Sequence, residues 1–276
     1  MRYATWMTIE QSPALHHLYR LYRRLPQRVR TPARWIAMPR WSMVAASVHL
    51  AAGDKVVAGP FAGTKLELAP VSSRLLVSYL LGTTELELHD IIERIVSKDY
   101  GTIINVGAAD GYYAIGLARR MPHARVVAFE AQERLHAGLL NAFRKNSVVD
   151  RITLRGRCDS RSLAEAIRES TGEVLILMDI EGGEGEALNP AVVPELAGVD
   201  VLVETHDVFV PHVTKTLIER FSPTHAIDRR STRARTLADF PRGFLSAIPK
   251  FLPRTAVDIM NERRSGSQEW LYMVTD

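Results

Sequence analysis

Polar and acidic side chains follow several predicted strands of this 276-residue chain, at the points where the strands end. A glycine turn, Gly107–Gly111, lies between a predicted strand and a predicted helix, and Glu130 ends the next strand. Glycines at such a turn let the backbone approach a ligand, and an acid about twenty residues farther on accepts ribose hydroxyls in nucleotide-binding folds. Because nicotinamide and adenosyl cofactors both carry a ribose, the spacing predicts a nucleoside-containing ligand without choosing between them.

A second group of side chains follows two later strands and is suited to acid–base chemistry. Glu204 and His206 come at the end of one strand, and Asp179 at the end of another. His206 and Glu204 are candidate general bases because histidine titrates near neutral pH; the simpler interpretation is that they only bond loop backbone or each other. With Glu181 and Asp207 these residues could also surround a divalent metal, and carboxylates with few histidines suit Mg²⁺ or Ca²⁺. We predict no metal site and keep that arrangement as an alternative.

These side chains need a sheet whose strands end on the same side. From residue 102 onward, apolar runs alternate with segments whose apolar residues recur at helical spacing. The alternation predicts βαβ units and a mostly parallel sheet covered on both faces, and ligands bind beyond the carboxyl ends of such strands. Thr84 followed three residues later by Glu87 is a capping-box pattern, which adds a helix at about 84–97. The predicted strands are 102–106, 125–129, 151–154, 174–178, 199–203, 224–228 and 269–274.

Composition limits the class of protein. Hydrophobic residues make up 46% of the chain and charged residues 24%, which excludes a chain that is disordered throughout. The lone cysteine, Cys158, excludes an intrachain disulfide and suits a reducing compartment. The apolar stretch Trp41–Ala52 is far shorter than the roughly 20 residues that cross a bilayer. We therefore expect a soluble, cytoplasmic protein with no transmembrane segment.

The N-terminal part of the chain differs from the rest in charge. Residues 1–50 hold eight Arg and one acid, Glu10, whereas the formal net charge of the whole chain is only +4. A basic segment of this kind can contact nucleic acid, anionic lipid or an acidic partner, or it can be a solvated helical extension. We predict a basic helical extension over 1–98 with a hairpin near 54–68, followed by a catalytic domain over 99–276.

Four short motifs resemble those of class I S-adenosylmethionine-dependent methyltransferases, and more narrowly those of the FkbM-like group. Val106–Tyr113 resembles that group's Val-Gly-Ala-x-x-Gly-Tyr-Tyr, and Ala128–Glu130 its Ala-Phe-Glu. Asp179–Glu184 is similar to Asp-x-Glu-Gly-x-Glu, and Glu204–His206 to Glu-x-His. The resemblance implies a Rossmann-like class I methyltransferase fold, which is a seven-stranded, mostly parallel sheet with helices on both faces. It implies S-adenosyl-L-methionine as the cofactor.

The resemblance also implies roles for individual residues. Glu130 would hold the ribose hydroxyls, Asp159 would lie near the adenine amino group, and Asp179 would lie nearest the reactive sulfonium. Asn105 stands where class I enzymes often carry an acid, and its amide would bond the amino-acid moiety of the cofactor. The implied cofactor-binding set is Asn105, Gly107, Ala108, Gly111, Tyr112, Glu130, Asp159, Asp179 and Glu181, and the implied catalytic set is Asp179, Glu204 and His206.

The function that this resemblance implies is methyl transfer to a hydroxyl of a glycan, a lipid-linked sugar or a small metabolite. The N-terminal helices, the hairpin near 54–68 and the Pro-rich stretch 238–256 would cover the acceptor, and four arginines between residues 229 and 235 could meet an anionic one. The alternative is an RNA-binding, RNA-modifying methyltransferase that uses the basic arm, since arginine contacts to phosphate bind nucleic acid. A nicotinamide-dependent oxidoreductase is a weaker alternative, because the chain lacks Gly-x-Gly-x-x-Gly at the turn.

Overall fold

The structure is a computed structural model, which describes residues 38–67, 75–262 and 268–275, together with positions 29, 35 and 36. Seven of the eight arginines of the predicted basic arm lie outside the described residues, as do most of the helices predicted there. The division of the chain at residue 98 remains a prediction.

Seven strands form one sheet, in the order β3-β2-β1-β4-β5-β7-β6. The strands are β1 (Thr102–Val106), β2 (Arg125–Phe129), β3 (Ile152–Arg155), β4 (Val174–Met178), β5 (Asp200–Thr205), β6 (His225–Ser231) and β7 (Glu269–Thr275). The first five strands run parallel, and β7 pairs antiparallel with both β5 and β6. The carboxyl ends of the five parallel strands therefore meet at one edge of the sheet.

Ten helices accompany the sheet in the described part of the chain. They are α1 (Pro39–Ala52), α2 (Leu75–Leu81), α3 (His89–Lys98), α4 (Tyr112–Arg120), α5 (Glu133–Lys145), α6 (Ser160–Arg168), α7 (Glu184–Ala187), α8 (Val213–Phe221), α9 (Ala247–Phe251) and α10 (Pro253–Met260). Short 3₁₀ turns lie at Leu86–Leu88, Pro194–Gly198 and Leu237–Asp239. Within the described residues, none of the helices is long and apolar enough to cross a membrane.

Both faces of the sheet are buried under helices. In β1, Ile103 packs in one core with α3, α4 and α5, while Ile104 and Val106 pack in the other with α6 and α8. Strands that are buried on both faces have nearly continuous apolar runs rather than alternating ones, as the fully buried sequence of β4 shows. The predicted Rossmann-like methyltransferase fold, with seven strands and helices on both faces, is confirmed.

A third core lies outside the sheet and joins two distant parts of the chain. Helices α1 and α2 pack against α9, α10 and the segment around Phe240. We call this layer, residues 38–57, 75–81 and 240–260, the helical cover. Trp41, Val44 and Val48 of α1 and Ile259 of α10 are among its buried side chains.

The segment predicted as a hairpin forms a compact antiparallel loop. Lys55 and Lys65 make an isolated bridge, and the Val56 N–H donates to the Thr64 carbonyl at 2.9 Å. Phe61 from this loop is buried against α4, where its ring contacts Tyr112 at a centroid distance of 5.0 Å. The loop thus belongs to the core of the sheet domain rather than standing apart from it.

The capping box predicted at Thr84 is wrong. The backbone of Glu85 adopts a left-handed conformation (φ +48°), and neither Thr84 nor Glu85 caps the helix that follows. The Thr84 hydroxyl instead donates to the Ser78 hydroxyl at 2.9 Å, and the Glu87 carboxylate pairs with Arg235 at 2.6 Å. The partner of Glu87 is 148 residues away in the sequence, which a local pattern cannot reveal.

Candidate active site

The glycine turn after β1 brings the backbone against the end of β4. Gly107 has φ +88°, and a Cβ atom there would lie 1.9 Å from the carbonyl oxygen of Asp179, so only glycine fits. The N–H groups of Gly107 and Ala108 both donate to the carbonyl of Phe129, at 3.0 and 2.9 Å. These contacts fix the turn over the carboxyl end of β2.

Glu130 is held in place beside this turn. Its carboxylate accepts the Ala109 N–H at 2.8 Å on one oxygen and the Gln132 N–H at 2.7 Å on the other. The residue is 5% exposed, and its position at the end of β2 puts it at the rim of a cavity. An ionised carboxylate offers about four acceptor positions, so the two backbone bonds leave acceptor capacity for hydroxyl groups.

A cavity of about 530 Å³ opens at the carboxyl ends of β1 to β4. Pockets for ligands of cofactor size span about 300–1,000 Å³. Five of the predicted cofactor-binding residues line it, namely Gly107, Glu130, Asp159, Asp179 and Glu181. The Asp159 carboxylate also caps helix α6 by accepting the Ser162 N–H at 2.8 Å, which fixes its position at the cavity wall.

The remaining predicted cofactor-binding residues lie next to the cavity lining rather than in it. Asn105 is 1% exposed; its amide donates to the Leu177 carbonyl at 3.4 Å, and no described residue donates to its Oδ1. A buried carbonyl oxygen without a donor is costly unless a ligand supplies one. Ala108 and Gly111 form the inner side of the turn, and Tyr112 packs in an aromatic cluster, where burial raises its pKa.

Asp179, Glu204 and His206 come together where β4 and β5 end. The Nε2 atom of His206 lies 3.7 Å from Asp179 Oδ1 and 3.7 Å from Glu204 Oε2. Both distances are beyond hydrogen-bond reach. Glu204 and His206 are each 2% exposed, whereas the Asp179 side chain is 36% exposed toward the cavity. The predicted catalytic residues therefore form one cluster that is open to the cavity on the side of Asp179.

Glu184 is a member of this cluster that the sequence analysis did not select. Its Oε1 accepts from Nδ1 of His206 at 2.6 Å and from the Gly182 N–H at 3.0 Å, and the side chain is fully buried. Glu184 is the last acid of the motif Asp179–Glu184, so that motif held the signal. With Nδ1–H donated to a carboxylate, Nε2 of the neutral ring carries the lone pair and faces the other two acids.

The electrostatics of the cluster raise the pKa of His206. Burial of the ring opposes its charge, but the hydrogen bond to Glu184 and the negative charges of Asp179 and Glu181 outweigh burial and raise the pKa of His206 above its ordinary value. Burial alone would raise the pKa of Glu184, yet the bonds from His206 and Gly182 lower it. A proton taken up at Nε2 is thus stabilised by the surrounding carboxylates.

The same cluster is where a metal ion could bind. One ligand atom each from Asp179, Glu204 and His206 lies within 4.8 Å of the others. Metal-binding histidines commonly donate their second ring N–H to a carboxylate, as His206 does to Glu184. Asp207 lies apart from this group, with its carboxylate bonded to the Thr214 hydroxyl.

The four arginines that were expected to meet an anionic acceptor are paired with acids instead. Arg235 is buried between Glu87 and Glu262, at 2.6 and 2.5 Å. The other three are paired as well: Arg229 with Glu269, Arg230 with Asp90 and Asp228, and Arg233 with Asp239. Because these cations are already neutralised, they offer no ready site for an anion.

Comparison with known proteins gives distant likenesses. No protein-family model and no curated protein matches the chain. A solved putative O-methyltransferase from Klebsiella pneumoniae is 13% identical, covers 88% of this chain and 96% of its own, and has a TM-score of 0.45. An O-methyltransferase from Bacillus cereus, solved in complex with SAH, is 14% identical over 84% and 89% of the two chains, with a TM-score of 0.44. A precorrin-6Y C5,15-methyltransferase from Geobacter metallireducens is 12% identical over 68% and 89%, with a TM-score of 0.42.

The strand order of this chain defines its class of fold. Five parallel strands with β7 inserted antiparallel between β5 and β6 give the class I methyltransferase fold. At this identity and TM-score the solved structures assign neither activity nor ligand to the chain. Any functional assignment must therefore come from the site.

Proposed function

We propose that this chain is an S-adenosylmethionine-dependent O-methyltransferase of the FkbM-like group. The observation that carries the proposal is the buried Glu130 carboxylate, which the glycine turn fixes at the rim of the cavity. The hydrogen bond between Glu184 and His206 supports the FkbM-like assignment, because it joins the third and fourth motifs of that resemblance. Under this proposal the adenosyl ligand occupies the cavity, and the acceptor approaches from the cluster around His206.

The residues around the cavity fit the polar groups of the cofactor. Glu130 has acceptor capacity for two ribose hydroxyls, and Asp159 at the far wall is the candidate for the adenine amino group. Oδ1 of Asn105, which accepts no hydrogen bond from a described residue, is suited to accept one from the ammonium of the cofactor's amino-acid moiety. When bound, the cofactor would supply a methyl group on a positively charged sulfur, and Asp179, which lines the cavity at the end of β4, is the candidate negative charge for it.

His206 is the proposed general base. Nε2 of His206 would accept the proton of the acceptor hydroxyl, and the bound cofactor would supply the methyl group that the acceptor oxygen receives. The Glu184 carboxylate keeps Nδ1 protonated and stabilises the imidazolium that forms. In well-oriented reactions, alignment of the reacting atoms lowers the barrier by about 7–11 kcal/mol. Asp179 and Glu204, each 3.7 Å from Nε2 of His206, would flank an acceptor hydroxyl bound there.

The proposal names the methyl acceptor only by its chemical class. We propose a hydroxyl on a glycan, a lipid-linked sugar or a small metabolite, because a base that operates near neutral pH suits removal of a hydroxyl proton. A cytoplasmic location is part of the proposal, since the lone Cys158 needs no oxidising compartment.

Calorimetric titration with S-adenosylmethionine, S-adenosylhomocysteine and NAD⁺ tests the cofactor assignment. We expect micromolar binding of the two adenosyl ligands only, with loss of that binding in Glu130→Ala. Glu133→Ala is the matched control, because it removes an exposed acid three residues away. Binding of NAD⁺ without either adenosyl ligand would contradict the proposal and favour an oxidoreductase.

A further inference from the structure

The helical cover exposes large apolar side chains on its outer surface. Helix α1 buries Trp41, Val44 and Val48 in the cover's core, but Met43 is 46% exposed and Leu50 is 89% exposed. These two residues are separated by seven positions, so they lie on the same outer stripe of the helix. Ile36, which precedes α1, is 84% exposed. An apolar stripe on the outside of a packed helix has no role in the fold of the described residues.

A further apolar side chain is exposed on the pair of helices, α9 and α10, that packs with α1. Phe251, at the end of α9, is 70% exposed. The ammonium of Lys250 lies 5.3 Å from the centroid of its ring. An aromatic ring beside a lysine is an arrangement that places the ring in an apolar boundary and the charge in a polar layer.

The helical cover carries exposed basic side chains, and its two acids, Asp54 and Asp258, are partly exposed. Arg40, Arg242, Lys250 and Arg254 are exposed, and none of them forms an ion pair with a described residue. This contrasts with the arginines of β6 and the segment after it, all of which are paired with acids. The sequence before α1 adds seven more arginines and a single acid. Among the described residues, the cover thus combines exposed apolar side chains with more cations than acids.

We propose that the helical cover docks on an anionic lipid surface. Met43, Leu50 and Phe251 enter the interface between headgroups and acyl chains, while the cations meet lipid phosphates. A basic amphipathic surface binds such membranes by burying apolar area and by attraction to anionic headgroups. Nucleic acid would use the cations and aromatic stacking but would leave Met43 and Leu50 exposed. A second copy of this chain would place like charges against each other. The inference goes beyond the proposed methyl transfer and does not depend on it.

Co-sedimentation of the full chain with lipid vesicles tests this proposal. The vesicles are phosphatidylcholine alone and phosphatidylcholine mixed with phosphatidylglycerol. We expect binding to the mixed vesicles only. The triple variant Met43→Gln, Leu50→Gln and Phe251→Gln should bind them at least about tenfold more weakly, because it removes the apolar area that would enter the membrane without changing the charge.

Val192→Gln is the matched control for the loss of an apolar side chain. Val192 is 61% exposed but lies outside the cover, so its variant should bind as the original chain does. Thermal unfolding of each variant, followed by circular dichroism, shows whether the variant keeps the fold. We expect that it does, because all four substituted side chains are exposed.

Three results would overturn the proposal. One is no binding to phosphatidylglycerol vesicles. Another is equal vesicle binding by the triple variant and the original chain, because charge alone would then account for the binding. The third is evidence that something else occupies the surface. That evidence would be either a dimer in analytical ultracentrifugation that the triple variant abolishes, or retention of RNA in place of vesicles.

Discussion

At the scale of single residues, Glu184 controls how His206 holds its proton. Its carboxylate accepts from Nδ1, and together with Asp179 and Glu181 it raises the pKa of the ring against the effect of burial. We expect Glu184→Gln to lower the pKa of His206, because the ring keeps a hydrogen-bond partner but loses a charge. Nuclear magnetic resonance titration of the ring, assigned with His206→Asn, measures this without a known acceptor.

Glu181→Gln is the matched control for this prediction. Glu181 acts on His206 through charge alone, so its variant should lower the pKa of the ring less than Glu184→Gln does. Methyl transfer to an identified acceptor should show the same order, with the acid limb of the pH–rate profile moving to lower pH in Glu184→Gln. Equal pKa values for His206 in Glu184→Gln and in the original chain would contradict the role of Glu184.

A second residue-scale prediction concerns the stability of the chain at different pH values. The side chain of Glu262 is 4% exposed, and burial first and then the charge of Glu85 raise its pKa to about 7. Between about pH 4.5 and 7 the folded state therefore holds a proton that the unfolded state has released. The free energy of unfolding should fall as pH rises through this window.

Glu262→Gln should remove this part of the pH dependence, because the neutral amide has no proton to lose. Urea unfolding at a series of pH values measures the free energy of unfolding of both chains. We expect a flatter dependence between pH 5 and 7 in Glu262→Gln than in the original chain. Glu133→Gln, at an exposed position, should leave the slope unchanged, and parallel slopes for Glu262→Gln and the original chain would contradict the prediction.

At the scale of elements, the turn between β1 and α4 depends on a glycine that no other residue can replace. Gly107→Ala forces a side chain into a left-handed backbone and against the Asp179 carbonyl. We expect a loss of stability of more than 1 kcal/mol and loss of adenosyl-ligand binding. Gly138→Ala in helix α5 is the matched control, because nothing lies within 4 Å of its Cβ; it should stabilise the chain by about 0.5–1 kcal/mol. Urea unfolding and calorimetry compare the two, and equal effects would contradict the role of the turn.

The elements of the sheet were predictable from sequence because each is recognised locally. The run of five apolar residues in β4 and the helical spacing in α5 each carry their own signal. The motif Asp179–Glu184 contains Glu184, but its contact with His206 has no local signal, since it joins α7 to the end of β5 only after β4 and β5 have paired. The predicted capping box at Thr84 failed for the same reason, because Ser78 and Arg235 compete for its side chains.

At the scale of the whole molecule, the described residues before residue 99 pack into the same cores as the later part of the chain. Residues 56–66 and helix α3 place Phe61, Ile91 and Ile95 in the core on one face of the sheet. Helix α1 shares the core of the helical cover with Ile259 and Met260 of α10. The division at residue 98 was predicted because the regular alternation of strands and helices begins after it, and it remains a prediction; these packing contacts join residues on both sides of it.

The packing leads to a prediction about fragments of the chain. A fragment of residues 99–276 lacks the partners of α10 and of one sheet face, so apolar surface of both cores becomes exposed. We expect it to bind a hydrophobic dye and to unfold without a cooperative transition. A fragment of residues 38–276 keeps those core contacts and should unfold in one cooperative step. Cooperative unfolding of 99–276 with the stability of 38–276 would instead make residue 98 a true domain boundary, and the cover would then be an addition to an independently stable sheet domain.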